Sequence, residues 1–109
     1  MKRYVVSPEA RTDLDGIWDY IAERSSAETA TRFMWKLYET FTSIGSSPGA
    51  GVAVLNLLPD DARKFPMGNY LVYYRPMRSK VLILRVLHGK RLQTKALRTG
   101  PESRRRPGK

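Results

Sequence analysis

The sequence predicts a single α+β domain in which an N-terminal helical hairpin packs on an antiparallel β-sheet of three to four strands. Two neighbouring segments near the start place apolar residues at helical spacing, and only a short polar break at 24–26 separates them. Later segments are rich in β-branched and aromatic residues, which favour strands. The 109 residues, 41 % of them hydrophobic, suffice for one modest core. The predicted element order is therefore β-α-α-β-β-β.

The first strand and the first helix are predicted at 3–24. Residues 3–6 form a short β-branched segment, as expected of a strand. Ser7 can cap a helix, Pro8 suits the first helical position, and Glu9 complements the positive end of the helix dipole. A stripe of apolar residues at helical spacing then predicts the helix itself: Leu14, Ile17, Trp18 and Ile21.

The second helix is predicted to begin at Ser25, because Ser25 and Glu28 together fit a capping box. Gly45 is expected to end this helix. Core packing is the expected role of Trp18 and Trp35, and contact with a partner is the alternative. The apolar stripe of the second helix comprises six residues: Ala30, Phe33, Met34, Leu37, Phe41 and Ile44.

The remaining strands are predicted in the second half of the chain. Residues 52–55 are either a short strand or a packed loop, and residues 63–65 are a weak strand candidate that Pro66 ends. Residues 70–75 and 80–88 are stronger candidates. The short segment between them carries turn residues, so the two strands are predicted to form a hairpin.

Both faces of this predicted hairpin are apolar, because neither strand alternates apolar and polar residues. The helices can cover one face, and residues 49–61, a second copy of the chain or a partner protein must cover the other. Charge bears on this choice. Residues 1–59 have a net charge of −1 and residues 60–109 one of +11. An acidic segment of a partner would complement such a basic sheet.

The composition excludes several classes of protein. There is no cysteine, which removes disulfides and thiolate chemistry, and His88 is the only histidine, so no metal or other cofactor is expected. No apolar run is long enough to cross a membrane, and no secretory signal is recognisable, so the chain is expected in the cytoplasm. One domain is predicted at 1–98. A basic tail at 99–109 is predicted to be disordered.

Three blocks of the sequence resemble the ParE toxins of the ParE/RelE superfamily, in the same order and at the same spacing. The blocks are VSPEARTDLDGIWDYIA at 6–22, RKFPMGNYLVYYR at 63–75 and VLILRVLHGKR at 81–91. The resemblance covers about 3–92 and implies a helical hairpin on an antiparallel sheet. It also implies a type II toxin that a ParD-like antitoxin neutralises in a hetero-oligomer. ParE-like members are described as poisons of DNA gyrase.

The superfamily also contains RelE-like ribonucleases that cleave messenger RNA on the ribosome. Such cleavage needs groups that move protons and cations that neutralise the phosphorane. Arg63 and Arg91 match RelE-like cationic positions. His88 is a candidate general base, although a structural role is preferred for it. Three other positions of the RelE-like site hold unsuitable residues here: Asp61, Tyr70 and Leu97.

We therefore predict a non-catalytic ParE-like toxin that poisons gyrase and uses neither a membrane nor a small-molecule substrate; a ribosome-dependent mRNA endonuclease is the alternative. Arg85 interrupts an apolar strand, so it either pairs with an acid of the helical hairpin or contacts a carboxylate of the partner. The candidate partner-binding residues are Arg63, Tyr73, Arg75, Arg85, Lys90 and Arg91. The residual candidates for a ribonuclease are Arg63, His88 and Arg91.

Overall fold

A five-stranded mixed sheet carries two packed helices on one face. The computed structural model describes residues 3–54 and 61–89. The strands lie in the order β1-β5-β4-β3-β2. The elements are β1 (Tyr4–Val6), α1 (Pro8–Arg24), α2 (Ala27–Ser46), a 3-10 turn (Pro48–Ala50), β2 (Val52–Ala53), β3 (Arg63–Met67), β4 (Tyr70–Pro76) and β5 (Val81–His88).

The predicted α+β class is confirmed, and the sheet differs from the prediction in two respects. It has five strands, because residues 52–53 form β2 against β3. It is mixed, because β1 runs parallel to β5, with Tyr4 opposite Val81. Local apolar patterns predict a strand without its direction. Here the helical hairpin carries the chain over the sheet after β1.

The N-terminal cap of α1 is the predicted residue, whereas the N-terminal cap of α2 lies one residue later than predicted. The hydroxyl of Ser7 accepts a hydrogen bond from the backbone N–H of Ala10 at 3.0 Å, as predicted. The predicted cap at Ser25 is wrong. Ser26 caps α2 by accepting from the N–H of Thr29, and Ser25 ends α1. Two serines in succession offer the same local signal, and the tight turn between the helices selects the second.

Gly45 and Pro66 were both expected to end an element, and both lie within one. A Cβ at Gly45 would lie 2.6 Å from the backbone oxygen of Arg3, so glycine allows α2 to pass close to β1. Pro66 lies in β3 opposite Leu71. The paired part of β2 reaches only Arg63 and Lys64, so no neighbouring strand needs the missing N–H of Pro66.

The core lies between the helices and the sheet. Its buried members come from both helices and from β4 and β5: Ala10, Leu14, Ile17, Leu37, Phe41, Ile44, Val72, Tyr74, Val81, Ile83 and Val86. Three successive residues of β4, Val72 to Tyr74, are buried. Because successive strand residues point to opposite faces, both faces of β4 bury side chains, as predicted.

The two tryptophans have different environments. Trp18 is half-buried, whereas Trp35 is 65 % exposed on α2, so its predicted core role is wrong. Trp35 lies beside the apolar stripe of α2, where helical spacing alone does not separate core from surface. Neither described helix is long and apolar enough to cross a bilayer.

Candidate functional site

An open groove of about 750 Å³ runs between α1 and the carboxyl-terminal half of β5. One wall is a stripe of α1, and the other is formed by β5 and the turn between β3 and β4. The lining residues are Thr12, Asp13, Gly16, Ile17, Tyr20, Asn69, Tyr70, Arg85, Val86, Leu87 and His88. The groove extends beyond β1, which pairs with only the first three residues of β5.

An ion pair joins the two walls of the groove. The carboxylate of Asp13 accepts hydrogen bonds from Nε and Nη2 of Arg85, at 2.8 and 2.9 Å, and from the backbone N–H of Val86 at 3.0 Å. The hydrogen bond to Asp13 raises the pKa of Arg85 above its usual value. Of the two predicted roles for Arg85, the structure shows the internal pair with the helical hairpin.

A β-bulge beside this ion pair shapes the groove. Tyr73 lies opposite Arg85, whereas Tyr74 lies opposite Ile83, so Leu84 is an extra residue in β5. Its carbonyl accepts a hydrogen bond from the hydroxyl of Ser7, which also caps α1. The bulge thereby fixes the start of α1 against β5.

Aromatic side chains form one end of the groove. The ring of Tyr70 packs edge-on against His88 and contacts Phe33, with centroid distances of 5.3 Å in both cases. Tyr20 is 52 % exposed and carries the guanidinium of Arg24 at 4.7 Å above its ring. Burial, followed by the proximity of Tyr20, raises the pKa of the Tyr70 hydroxyl. This end therefore offers a large aromatic surface.

Arg63 lies in β3, away from the groove, and holds a loop. Its Nε donates to the carbonyl of Gly51 at 2.9 Å and its Nη2 to that of Gly49 at 3.4 Å. The Tyr74 hydroxyl adds a bond to Pro48 O at 2.6 Å and accepts one from Gly51 N at 2.8 Å. The hydrogen bonds of Arg63 thus hold the segment that leads to β2 in place.

The predicted site residues do not form one cluster. Of the predicted site residues within 3–54 and 61–89, only Arg85 and His88 line the groove. Arg75 forms a surface ion pair with Asp61 at 3.3 Å, and Tyr73 is buried. Lys90 and Arg91 lie outside the described residues, as does the tail at 99–109. The role of these residues in partner binding stays a prediction.

Sequence reasoning missed most of the groove. Thr12, Gly16 and Tyr20 recur every four residues on α1, so they form a second stripe beside the apolar one. The available signal was Gly16, because glycine in a helix interior lowers helix stability and so suggests a role other than helix formation. Asn69 belongs to a predicted turn, and only the fold shows that it reaches the groove. Within residues 3–54 and 61–89, no three potential metal ligands lie together.

Comparison with known proteins agrees with this geometry. Residues 4–93 match the family model described as "ParE toxin of type II toxin-antitoxin system, parDE". "Toxin ParE1" of Caulobacter vibrioides is 38 % identical over 88 residues, which cover 81 % of this chain and 90 % of that toxin. "Toxin ParE1" of Mycobacterium tuberculosis is 29 % identical over 87 residues, with coverage of 79 % and 88 %.

A solved structure, "Chromosomal ParDE TA system from P. aeruginosa", matches with a TM-score of 0.67 and 19 % identity. The match covers 81 % of this chain and 96 % of that one, and at this identity it establishes the fold. The family model spans most of the chain, including α1, the sheet and the groove between them. The chain belongs to the family of ParE toxins of type II toxin–antitoxin systems.

Proposed function

We propose that this chain poisons DNA gyrase in the cytoplasm and that a ParD-like antitoxin neutralises it by binding in the groove between α1 and β5. The observation that carries the antitoxin site is the groove itself, which is open, mainly apolar and walled by Tyr20, Tyr70 and Ile17. Tyrosine is enriched at the energetic centres of protein interfaces, because its ring buries much area and its hydroxyl can still hydrogen-bond.

The size and position of the groove suit a peptide segment of a partner. Its volume of about 750 Å³ is in the upper part of the range for small-molecule pockets, and it is partly open to solvent. An antitoxin segment that orders on binding can wrap such a surface and bury it. The groove thereby supplies a partner surface distinct from the sheet face that the sequence suggested.

The gyrase target follows from the ParE-like resemblance, and the arrangement of side chains supports it over RNA cleavage. Arg63, a candidate phosphate ligand of a ribonuclease, already donates to two loop carbonyls. Asp61 pairs with Arg75, which leaves an acid where a RelE-like enzyme has a lysine. Tyr70 packs against Phe33 and His88. This set of residues is organised to stabilise the fold.

Two parallel assays on the purified chain test this function. The first measures supercoiling of relaxed plasmid by gyrase, and the second maps cuts in messenger RNA on translating ribosomes. Inhibition of supercoiling without RNA cuts is expected, and the antitoxin should restore supercoiling. RNA cuts that disappear in an Arg63→Ala, Arg91→Ala double variant would establish the endonuclease alternative instead.

Arg11→Ala and Arg32→Ala together make a matched control, because both arginines are exposed on the helices and outside the groove. This control removes the same charge as the Arg63 and Arg91 variant. If the control variant behaves like wild type in both assays, any effect of the Arg63→Ala, Arg91→Ala variant is due to those two positions.

A further inference from the structure

The charges of the described chain are divided between its two layers. Residues 8–46, which form the two helices, carry four basic and seven acidic residues. Residues 61–89, which form β3 to β5, carry six basic residues and one acidic residue. The helical layer is therefore negative and the sheet layer positive. A polyanion that approaches this domain is repelled by the helices and attracted to the sheet, so the division of charge orients the encounter.

Four basic residues lie together at the end of the sheet that holds the turn between β4 and β5. Arg75 lies at the end of β4. The turn that follows is closed by a hydrogen bond from the N–H of Met77 to the carbonyl of Lys80 at 2.7 Å. Arg3 flanks the same end, because its carbonyl accepts from the N–H of Val81 at 2.9 Å. Neighbouring strands are about 4.8 Å apart, so these residues form one cluster, here called the basic turn: Arg3, Arg75, Arg78 and Lys80.

The side chains of the basic turn are largely available to a ligand. Arg78 is exposed and Lys80 partly exposed, and neither forms an ion pair with another described residue. The ion pair of Arg75 with Asp61 is about half exposed on both sides, so it contributes little stability and can be exchanged for another anion. By contrast, Arg85 is held by its carboxylate partner on α1.

The surface around the basic turn indicates which polyanion it suits. The exposed large hydrophobic side chains near it are Val5 and Met77, whereas the exposed aromatic side chains of the described chain, Tyr20 and Trp35, lie on the helices. Protein interfaces are enriched in aromatic residues and depleted of lysine, and single-stranded nucleic acids stack on aromatic rings. A cationic surface without an exposed aromatic ring matches neither of these ligands. It matches the phosphate backbone of a DNA duplex, which is bound through cations.

We propose that the basic turn binds the phosphate backbone of the DNA duplex that gyrase holds, so that the toxin contacts DNA as well as the enzyme. This inference rests on the proposed function and adds a second ligand to it. The groove is lined by residues 85–88 of β5. A strand rises about 3.3 Å per residue, so the groove lies roughly 20 Å along β5 from Lys80. Substitutions in the basic turn should therefore leave antitoxin binding in the groove unchanged.

The salt dependence of DNA binding tests the phosphate contacts directly. Fluorescence anisotropy measures binding of the purified full-length chain to a short labelled duplex at several salt concentrations. Each phosphate contact adds about −0.9 to the slope of log K against log salt, so Arg78→Ala, Lys80→Ala should make the slope shallower by about 2. Arg11→Ala, Lys36→Ala is the matched control, because both side chains are exposed on the helices and the same two residue types are removed. Its slope should equal that of wild type.

A second arm measures, for the same three proteins, the linear DNA trapped by gyrase and the affinity for the antitoxin. The Arg78→Ala, Lys80→Ala variant should need about tenfold more toxin than the control to trap the same amount of DNA, because two phosphate contacts are lost. It should bind the antitoxin within twofold of wild type, which also shows that the variant is folded.

The two arms separate failure of the inference from failure of the proposed function. An unchanged salt slope overturns the DNA contact, and reduced trapping with an unchanged slope would show that the basic turn contacts gyrase itself. A shallower slope with unchanged trapping overturns the assignment to DNA held by gyrase. If wild-type toxin traps no gyrase, the proposed function fails together with that assignment, and the slope alone decides whether the basic turn binds a duplex.

Discussion

Removal of the Asp13 carboxylate should destabilise the domain strongly, because three donors depend on it. Asp13→Ala leaves the Arg85 guanidinium and the Val86 N–H without their acceptor. The side chains of Asp13 and Arg85 are 12 % and 30 % exposed, so solvent replaces the lost contacts only in part. Breaking a buried pair costs about 3–5 kcal/mol, and partial exposure reduces this to about 2–3 kcal/mol. That loss is a large part of the stability of about 5–15 kcal/mol that is typical of a domain.

Urea denaturation followed by far-UV circular dichroism measures this free energy of unfolding. The double variant Asp13→Ala, Arg85→Met should recover much of the loss, because it no longer leaves a charge unpaired. Asp15→Ala is the control, since Asp15 is an exposed acid on the same helix and forms no ion pair with another described residue. A loss below about 0.5 kcal/mol for Asp13→Ala, the size of a surface effect, would refute the reasoning.

Three further predictions concern the fold. Gly45→Ala should lower the free energy of unfolding by about 1–3 kcal/mol in denaturant titration, because its Cβ would lie 2.6 Å from the backbone oxygen of Arg3, just before β1; an unchanged value would contradict the close approach. Tyr74→Phe should cost about 1–3 kcal/mol, because Gly51 N and Pro48 O lose their partner; an unchanged urea midpoint would contradict this. Burial raises the pKa of the hydroxyls of Tyr4, Tyr70 and Tyr73. The folded state therefore keeps these protons longer than the unfolded chain, so the free energy of unfolding should hold its full value below a pH of about 10 and fall as the pH rises through the raised pKa values. An ultraviolet titration of these tyrosines that matches the unfolded chain would contradict this.

Local patterns predicted the elements of the fold and missed the features that depend on neighbours. Ser7 and the apolar stripe after it were sufficient for α1, because capping and periodicity act within a few residues. Gly45 looks like a helix stop until β1 is placed against it. The parallel pairing of Tyr4 with Val81 joins residues far apart in sequence, and no local pattern records it.

The candidate site was harder to predict for the same reason. Gly16 of α1 and Val86 of β5 are distant in sequence, and both line the groove. Two roles were predicted for Arg85, an ion pair with an acid of the helical hairpin or a contact with a partner, and the structure shows the ion pair, with Asp13. Arg63 looked like a ligand because it is cationic, yet loop carbonyls satisfy it. Charge in a sequence indicates what a residue can bind, and the fold decides which partner is near.

The most direct test of the central claim is whether the purified chain traps gyrase on cleaved DNA. Toxin is added to gyrase and negatively supercoiled plasmid, the mixture is denatured and treated with protease, and linear DNA is measured on a gel. We predict that linear DNA rises with toxin concentration and falls to the level of gyrase alone when the antitoxin is added first. No rise in linear DNA at any toxin concentration, with toxin that still binds its antitoxin and arrests growth, would contradict the account.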